Sequence, residues 1–195
     1  MEAESDDTRL MLRLQNGEDA ALNQIMTRWQ TPLVRFITRY VGDPNEALDL
    51  AQETFVRIYQ NRRRYQPKAK FSSWLFMIAS NLCRNHLRWE FRHPTVSLAR
   101  DEDSGDGPAD ATDTLPSPDK SPSDTAANQE VARFVKESIR SLPHDLKTVV
   151  LLFEYEDLSY EEIGGVLECS PKAVETRLYR ARKLLREKLE KLGYR

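Results

Sequence analysis

Cationic, amide and aromatic side chains are concentrated between residues 68 and 89 of this 195-residue chain. Asn81, Arg84, Asn85 and Arg88 recur at i, i+3, i+4 and i+7, a spacing that places all four on one helical face. Such a mixture suits single-stranded DNA, because bases stack on aromatic rings while phosphates pair with Lys and Arg. The residues predicted for this surface are Lys68, Lys70, Phe71, Trp74, Asn81, Arg84, Asn85 and Arg88.

The same segment has a second interpretation, in which its rings belong to a hydrophobic core. Aromatic side chains at helical spacing are usually buried, which leaves the roles of Trp74 and Phe76 open. We expect His86 to be half-buried rather than functional. Cys83 lies three residues before His86, but no further ligands cluster nearby, so no metal site is predicted.

A second candidate site lies between residues 158 and 183. Ser159 and Glu162 have the spacing of a capping box, which predicts that a helix begins there. After a short turn, Ser170 is expected to cap a second helix with Pro171 in its first position, where the missing N–H costs nothing. The stripe predicted to be buried in that helix is Val174, Leu178 and Ala181.

A short helix, a tight turn and a second helix with exposed basic residues are typical of a helix-turn-helix, whose second helix enters the major groove of DNA. The side chains expected to face outward are Lys172, Glu175, Thr176, Arg177 and Arg180. The DNA-binding residues predicted here are Ser170, Lys172, Ala173, Glu175, Thr176, Arg177, Arg180 and Lys183, the last two at phosphates. A plain helical hairpin with a solvated basic face is the alternative.

Two glycines interrupt the first helix of this motif. Gly164 and Gly165 each cost about 1 kcal/mol relative to alanine inside a helix. We interpret them as a sign that the recognition helix approaches closely, and a frayed helix is the alternative.

The elements that must position these residues are predicted to be helices throughout. Apolar residues recur at helical spacing, and no convincing strand pattern is found. One helix is expected from about Asn45 to Tyr59, after the turn at Gly42-Asp43-Pro44. Another is expected to begin at Ser72 or Ser73, either of which could be its N-cap, and to end near Trp89. The predicted fold is all-α, with two small helical domains at 1–95 and 129–195.

An acidic segment separates the two predicted domains. Residues 101–125 contain eight acidic residues and one basic residue, a net charge of −7, although the whole chain carries only −2. This composition predicts a disordered linker, which we place at 96–128. Basic residues outnumber acidic ones nine to one in 57–92 and nine to three in 172–195, so two cationic faces lie on opposite sides of the linker.

Several classes of protein are disfavoured by the sequence. No run of about 18 apolar residues and no secretory signal are visible, so a cytoplasmic protein is expected. Two distant cysteines, Cys83 and Cys169, do not suggest a disulfide framework. Three histidines and no Gly-rich phosphate loop argue against an enzyme, and no cofactor is predicted.

Residues 142–189, above all LSYEEI at 158–163, CSP at 169–171, VETRL at 174–178 and RAR at 180–182, resemble the fourth domain of extracytoplasmic-function (ECF) sigma factors. DLAQETF at 49–55 and the segment 71–89 resemble the second domain of the same family, in the same order. One departure is Glu168, which stands where the family's turn often carries glycine.

The resemblance implies a sigma factor without catalytic residues. Asp49, Gln52 and Glu53 would dock on the clamp helices of core RNA polymerase. The segment 71–89 would open and read the minus-10 promoter element, and the helix-turn-helix would read the minus-35 element. The implied partners are core polymerase, promoter DNA in double- and single-stranded form, and an anti-sigma factor. The main alternative is a helix-turn-helix regulator that binds operators independently of polymerase, and an adaptor that only sequesters a protein is a further one.

Overall fold

The computed structural model describes the backbone of residues 2–67, 70–93 and 122–191. Within these ranges the chain forms eight α-helices and a short 3-10 helix, Arg62–Arg64, and no strand, so the predicted all-α fold is confirmed. The helices are α1 (Glu2–Gln15), α2 (Ala20–Val41), α3 (Pro44–Gln60), α4 (Phe71–Arg92), α5 (Pro122–Arg140), α6 (His144–Glu154), α7 (Tyr160–Val166) and α8 (Pro171–Lys191). We call α1–α4 the N-terminal unit and α5–α8 the C-terminal unit.

The N-terminal unit is built around the buried stripe of α2, which packs on α1, α3 and α4. Aromatic rings from α2 and α4 meet in this core, edge to face for the two Trp29 pairs and tilted for Phe36 with Phe76. Trp29 lies 5.8 Å from Phe71 and 6.1 Å from Phe76, between ring centroids, and Phe36 lies 5.0 Å from Phe76. Such pairs add to the hydrophobic stabilisation of burial. They fix the rotation of α4 about its axis, and so decide which of its faces reaches the surface.

The turn between α2 and α3 forms as the sequence predicts. Gly42 ends α2 in the left-handed region, with φ of 95°, which favours glycine. The Asp43 carboxylate accepts hydrogen bonds from the backbone N–H groups of Asn45 (2.8 Å) and Glu46 (3.3 Å), and Pro44 occupies the first turn. The start of α4 differs from the prediction, because the helix begins at Phe71 and neither serine is its N-cap.

The predicted helix-turn-helix is present in the C-terminal unit. The capping box of α7 is complete, with the Ser159 N–H donating to Glu162 Oε2 at 2.7 Å and the Glu162 N–H donating to Ser159 Oγ at 3.3 Å. The Ala173 N–H donates to Ser170 Oγ at 3.2 Å, so Ser170 caps α8. The stripe predicted to be buried in α8 is buried: Val174, Leu178 and Ala181.

The boundary of the acidic linker is only partly described. Residues 94–121 lie outside the described ranges. The structure places residues 122–128, the last part of the predicted linker, in the first turns of α5.

The two glycines of α7 have different environments. A Cβ built on Gly164 would lie 2.7 Å from the Cys169 carbonyl oxygen, closer than real Cβ contacts, so the backbone does approach closely there, but the approach comes from the turn and not from the recognition helix. At Gly165 the nearest atom would be the Ser73 Cβ at 3.9 Å, an ordinary contact, and the prediction is wrong for this residue. Glu168 has a φ of 50°, so the turn uses the left-handed backbone that glycine favours.

We expect Gly164→Ala to lower the free energy of unfolding by about 1–3 kcal/mol, because the added methyl group must displace a backbone carbonyl. Gly165→Ala is the matched control. It should raise the free energy of unfolding by up to about 1 kcal/mol, since alanine is the better helix former and its Cβ would make only an ordinary van der Waals contact. Urea unfolding followed by circular dichroism measures both effects. Equal effects of the two substitutions would contradict the assignment.

Candidate nucleic-acid interface

The outward face of α8 begins at its N-terminus. Lys172, Glu175 and Thr176 are exposed, and Lys172 Nζ pairs with Glu175 Oε2 at 2.7 Å. The Thr176 hydroxyl donates to the Lys172 carbonyl at 2.9 Å. Ala173 is half-buried and Ser170 is occupied as the N-cap. Further along the helix, the residues predicted at phosphates are exposed: Arg180 and Lys183.

Arg177 does not lie on this outward face, so its predicted orientation is wrong. Its Nη2 lies 3.1 Å from Asp145 Oδ2 on α6, and its Nη1 donates to Cys169 Sγ at 3.1 Å. Its side chain is only 26% exposed. Both partners lie outside α8, so Arg177 braces the recognition helix against α6 and the turn. A contact between Arg177 and a base would first require both interactions to break.

The four polar residues predicted on one face of α4 are together. Arg84 Nη2 donates to Asn81 Oδ1 at 2.9 Å, and both side chains are half-buried. Arg84 Nε is buried without a hydrogen-bond partner, a costly situation that an incoming acceptor would relieve. Asn85 and Arg88 are exposed one turn further along. The second half of α4 therefore presents two guanidinium groups and two amides.

The aromatic part of the predicted site is mostly core. Phe71 is only 1% exposed and contacts Trp29, so it lies in the core and not on the predicted DNA-contact surface. Phe76 is also buried, as the alternative interpretation expected. Trp74 is half-buried, with its ring centroid 5.3 Å from that of Tyr65.

The two predicted lysines near the start of α4 differ in what the structure shows. Lys70 Nζ lies 2.9 Å from Glu162 Oε1 in α7. Lys68 lies outside the described residues.

Sequence reasoning missed the last turn of α4. Trp89 and Phe91 are 55% and 88% exposed, and the Trp89 ring stacks on His93 with 5.0 Å between centroids. Arg92 lies four residues after Arg88, so it continues the cationic stripe. That i+4 continuation was the signal available in the sequence.

A cavity of about 470 Å³ lies between the second half of α4 and α6. Its lining carries basic groups and no carboxylate: Tyr40, Arg84, Leu87, Arg88, Phe91, Arg92, Leu142, His144 and Lys147. Burial, with Arg84 next, lowers the pKa of His144 to about 4. Burial, with Arg140 next, lowers the pKa of Lys147 to about 8. The charged groups that line the cavity are therefore all cationic.

The face of α3 predicted to dock on polymerase is at the surface. Asp49 and Gln52 are exposed, and Glu53 Oε1 pairs with Arg57 Nε at 2.7 Å. Two apolar side chains that the prediction omitted flank Gln52 on this surface, at four residues before it and four after it. They are exposed large hydrophobic residues, Leu48 at 44% and Val56 at 47%.

Three further features of the described part of the chain concern His86, Cys83, and candidate metal sites and membrane spans. His86 is 16% exposed, as expected, and its Nε2 lies 3.6 Å from Glu46 and 3.7 Å from Glu90. Burial raises the pKa of the Cys83 thiol to about 12. No cluster of three or more His, Cys, Asp or Glu side chains that could hold a metal ion occurs among the described residues. None of the described helices is both long enough and apolar enough to span a membrane.

A helix-turn-helix on one helical unit and a cationic helix on another define a two-part helical DNA-binding protein. Residues 25–92 match the Sigma-70 region 2 family, and residues 135–185 match the Sigma-70 region 4 family. The chain is 32% identical over 188 residues to the ECF RNA polymerase sigma-E factor of Haemophilus influenzae, covering 95% of this chain and 96% of the relative. It is 33% identical over 193 residues to the RNA polymerase sigma-H factor of Pseudomonas aeruginosa, covering 98% of both. The chain belongs to the ECF family of RNA polymerase sigma factors.

Solved structures agree with this family. CnrH in complex with the cytosolic domain of CnrY matches with a TM-score of 0.67 and 25% identity, over 94% of this chain and 97% of CnrH. The sigma factor RpoE from Bartonella quintana, in complex with the anti-sigma factor NepR, shares the fold with a TM-score of 0.63 and 20% identity. The match covers 86% of this chain and 96% of RpoE. Sigma factors are initiation factors without enzymatic activity of their own, and an operator-binding regulator is not favoured.

We expect the stability of the chain to fall between pH 6.5 and pH 4 partly through His144. Its pKa is about 4 in the folded chain and about 6.5 in the unfolded chain, so the unfolded chain alone binds a proton in this window. As the pH falls from 7 to 4.5, the free energy of unfolding should decrease by about 1–3 kcal/mol less in the variant His144→Gln than in the unaltered chain. Urea unfolding at both pH values measures the difference. Parallel losses, or an NMR titration of His144 near pH 6.5, would contradict the assignment.

Proposed function

We propose that this chain binds core RNA polymerase and directs it to promoters in the bacterial cytoplasm, with one DNA element read by each helical unit. The observation that supports this most is the pair of cationic helix faces, on α4 and α8, carried by separate units in the order of the family. We assign domain two to residues 1–95 and domain four to 129–195, with 96–128 between them. The helix α5 begins inside that intervening segment, at Pro122, and continues into domain four.

For the minus-35 element, α8 is the recognition helix. The major groove accommodates an α-helix and exposes base edges that differ between base pairs. Lys172, Glu175 and Thr176 occupy the first turns of α8 and are exposed, so they are placed to contact bases, with the Ala173 methyl group beside them. Arg177 supports α8 from behind through Asp145 and Cys169.

For the minus-10 element, the second half of α4 supplies the contacts. Arg84 and Arg88 would meet phosphates, and Asn81 and Asn85 have amide groups able to pair with base edges. Extracting a base from the duplex costs a few kcal/mol, so the capturing groups must already be in place. The packing of α4 on the aromatic core meets that requirement.

For core polymerase, the outward face of α3 is the proposed docking surface. Stable interfaces combine an apolar centre with a polar rim. Leu48 and Val56 provide apolar anchors, and Asp49, Gln52 and Glu53 provide polar groups around them. RpoE of Bartonella quintana was solved bound to an anti-sigma factor, and we propose a regulator of that class for this chain as well.

Lys172→Ala and Thr176→Ala should each weaken binding of the polymerase complex to its promoter by about 1–3 kcal/mol and relax specificity at one position. Arg180→Ala should weaken binding to all DNA sequences. It should also make the slope of log affinity against log salt concentration shallower by about one, the value for one phosphate contact. Lys136→Ala, at an exposed lysine on α5, is the control. Selection from a randomised minus-35 library measures specificity. Unchanged selectivity in the Lys172 and Thr176 variants would contradict the assignment of α8 as the helix that recognises the minus-35 element.

Leu48→Asp and Val56→Asp should each weaken binding to core polymerase about 10-fold or more, because a charge would be buried at the centre of the interface. Leu12→Asp makes the same change at another exposed leucine of the N-terminal unit, and should leave binding unchanged. Fluorescence anisotropy with labelled chain measures the affinity, and circular dichroism checks that the helices persist. Equal effects at positions 12 and 48 would contradict the assignment of α3.

A further inference from the structure

The last residue of α1 joins that helix to the turn that follows α3. Gln15 Nε2 donates to the Arg62 carbonyl at 2.8 Å and to the Tyr65 carbonyl at 2.9 Å. These two carbonyls belong to the first residue of the 3-10 helix and to its C-cap, and we call residues 62–65 the arginine turn. Hydrogen-bond geometry is poorer in a 3-10 helix than in an α-helix, so the two bonds from Gln15 add stability that the turn lacks by itself.

Helix α1 holds the arginine turn at a second point, the side chain of Tyr65. The Thr8 and Tyr65 hydroxyl groups are hydrogen-bonded, with 3.2 Å between their oxygen atoms. The helix is itself seated in the core by three buried side chains, Leu10, Met11 and Leu14. The arginine turn is therefore anchored to a packed helix through both a carbonyl and a hydroxyl group of Tyr65.

The three arginines of the turn have different surroundings. Arg62 Nη1 donates to the Tyr59 carbonyl at 2.8 Å, and the Arg62 guanidinium lies 4.1 Å from the centre of the Tyr59 ring, so Arg62 supports the fold. Arg63 and Arg64 are exposed, and neither forms an ion pair with another residue that the structure describes. Adjacent like charges repel each other, and an anion bound beside them would relieve that repulsion. The turn therefore offers two cationic groups to an anionic partner.

The arginine turn lies beside the start of α4, the helix proposed to read the minus-10 element. The Tyr65 ring centroid lies 5.3 Å from that of Trp74 and 6.2 Å from that of Phe71. The polar stripe of α4 begins at Asn81, roughly 10 Å along the helix from Trp74 at about 1.5 Å per residue. The turn therefore extends the cationic surface of α4 beyond the N-terminal end of that helix.

We propose that Arg63 and Arg64 bind phosphates of the opened DNA strand at the minus-10 element, and that Gln15 is a positioning residue for them. The inference rests on the proposed function, because it requires α4 to hold a single strand. A guanidinium group pairs with phosphate through two parallel hydrogen bonds, so its orientation matters. Ordering a long side chain on binding costs conformational entropy. By fixing the backbone beneath the two arginines, Gln15 reduces the part of that cost that the turn itself would add.

The salt dependence of DNA binding tests the two arginine contacts. Core polymerase assembled with each variant is titrated, at several salt concentrations, with a promoter fragment whose minus-10 region is already single-stranded. Arg63→Ala with Arg64→Ala should weaken binding about 10-fold or more at about 0.1 M salt. The slope of log affinity against log salt concentration should become shallower by about 1.4, the value for two phosphates of a single strand.

Two paired variants control for charge. Arg63→Lys with Arg64→Lys keeps both charges and should keep the slope of the unaltered chain. Arg133→Ala with Lys136→Ala removes the same net charge from exposed positions of α5, and should also leave the slope unchanged. A general effect of net charge would instead change the slope equally in both alanine pairs.

Gln15→Met tests the positioning role, because it removes both hydrogen bonds and changes neither the charge nor the length of the side chain much. It should still weaken binding about 3-fold and make the slope shallower by at least about 0.5, since the arginines lose their fixed position. Added to Arg63→Ala with Arg64→Ala, it should cause no further loss, because it acts through them. Gln24→Met, at an exposed glutamine of α2, is the matched control and should change neither quantity. Circular dichroism checks that the helices persist.

The proposal is overturned if the arginine-to-alanine pair or Gln15→Met keeps the slope of the unaltered chain. It is also overturned if Gln15→Met weakens binding further in the absence of both arginines, because Gln15 would then act elsewhere. Failure of the proposed function gives a different result. In that case polymerase assembled with the unaltered chain would bind the single-stranded fragment no more tightly than core polymerase alone, whatever the variants show.

Discussion

A helix can hold a cationic face towards DNA only if its opposite face is fixed in a core. Both readers of this sigma factor obey that constraint. The buried stripe of α8 seats the recognition helix on α6 and α7, and the Arg177 contacts to Asp145 and Cys169 brace it further. On α4, the rings of Phe71 and Phe76 are held in the aromatic core, which leaves Arg84 and Arg88 on the other side. The electrostatics of the surface therefore depend on the packing beneath it.

Local chemistry made much of this fold predictable. The helical spacing of apolar residues, the Ser159–Glu162 capping box and the Ser170 cap each act within a few residues, so the sequence shows them directly. The polar stripe of α4 was predictable for the same reason. The predictions that were wrong required knowledge of distant partners. Phe71 is core because Trp29 lies against it, and Arg177 turns inward because Asp145 on another helix attracts it.

The contact between the two units, where the end of α2 packs on α6, was not predictable from periodicity. Tyr40 meets His144 and Lys147, which lie 104 and 107 residues further along the chain. A lysine in the middle of an amphipathic pattern ordinarily indicates a solvated face, yet Lys147 is 4% exposed. Only the arrangement of whole helices against one another explains its burial. The same holds for Ser73, which looks like a helix cap in the sequence but contacts α7 instead.

Gly42 satisfies two unrelated demands at once. Its left-handed backbone ends α2, and the space that a side chain would fill is occupied by the guanidinium group of Arg140. A larger residue would strain the turn and also push Arg140 away from the Val41 carbonyl. A substitution at this single position would therefore alter both the turn between α2 and α3 and the affinity of the two units for each other. Neither property can change there independently of the other.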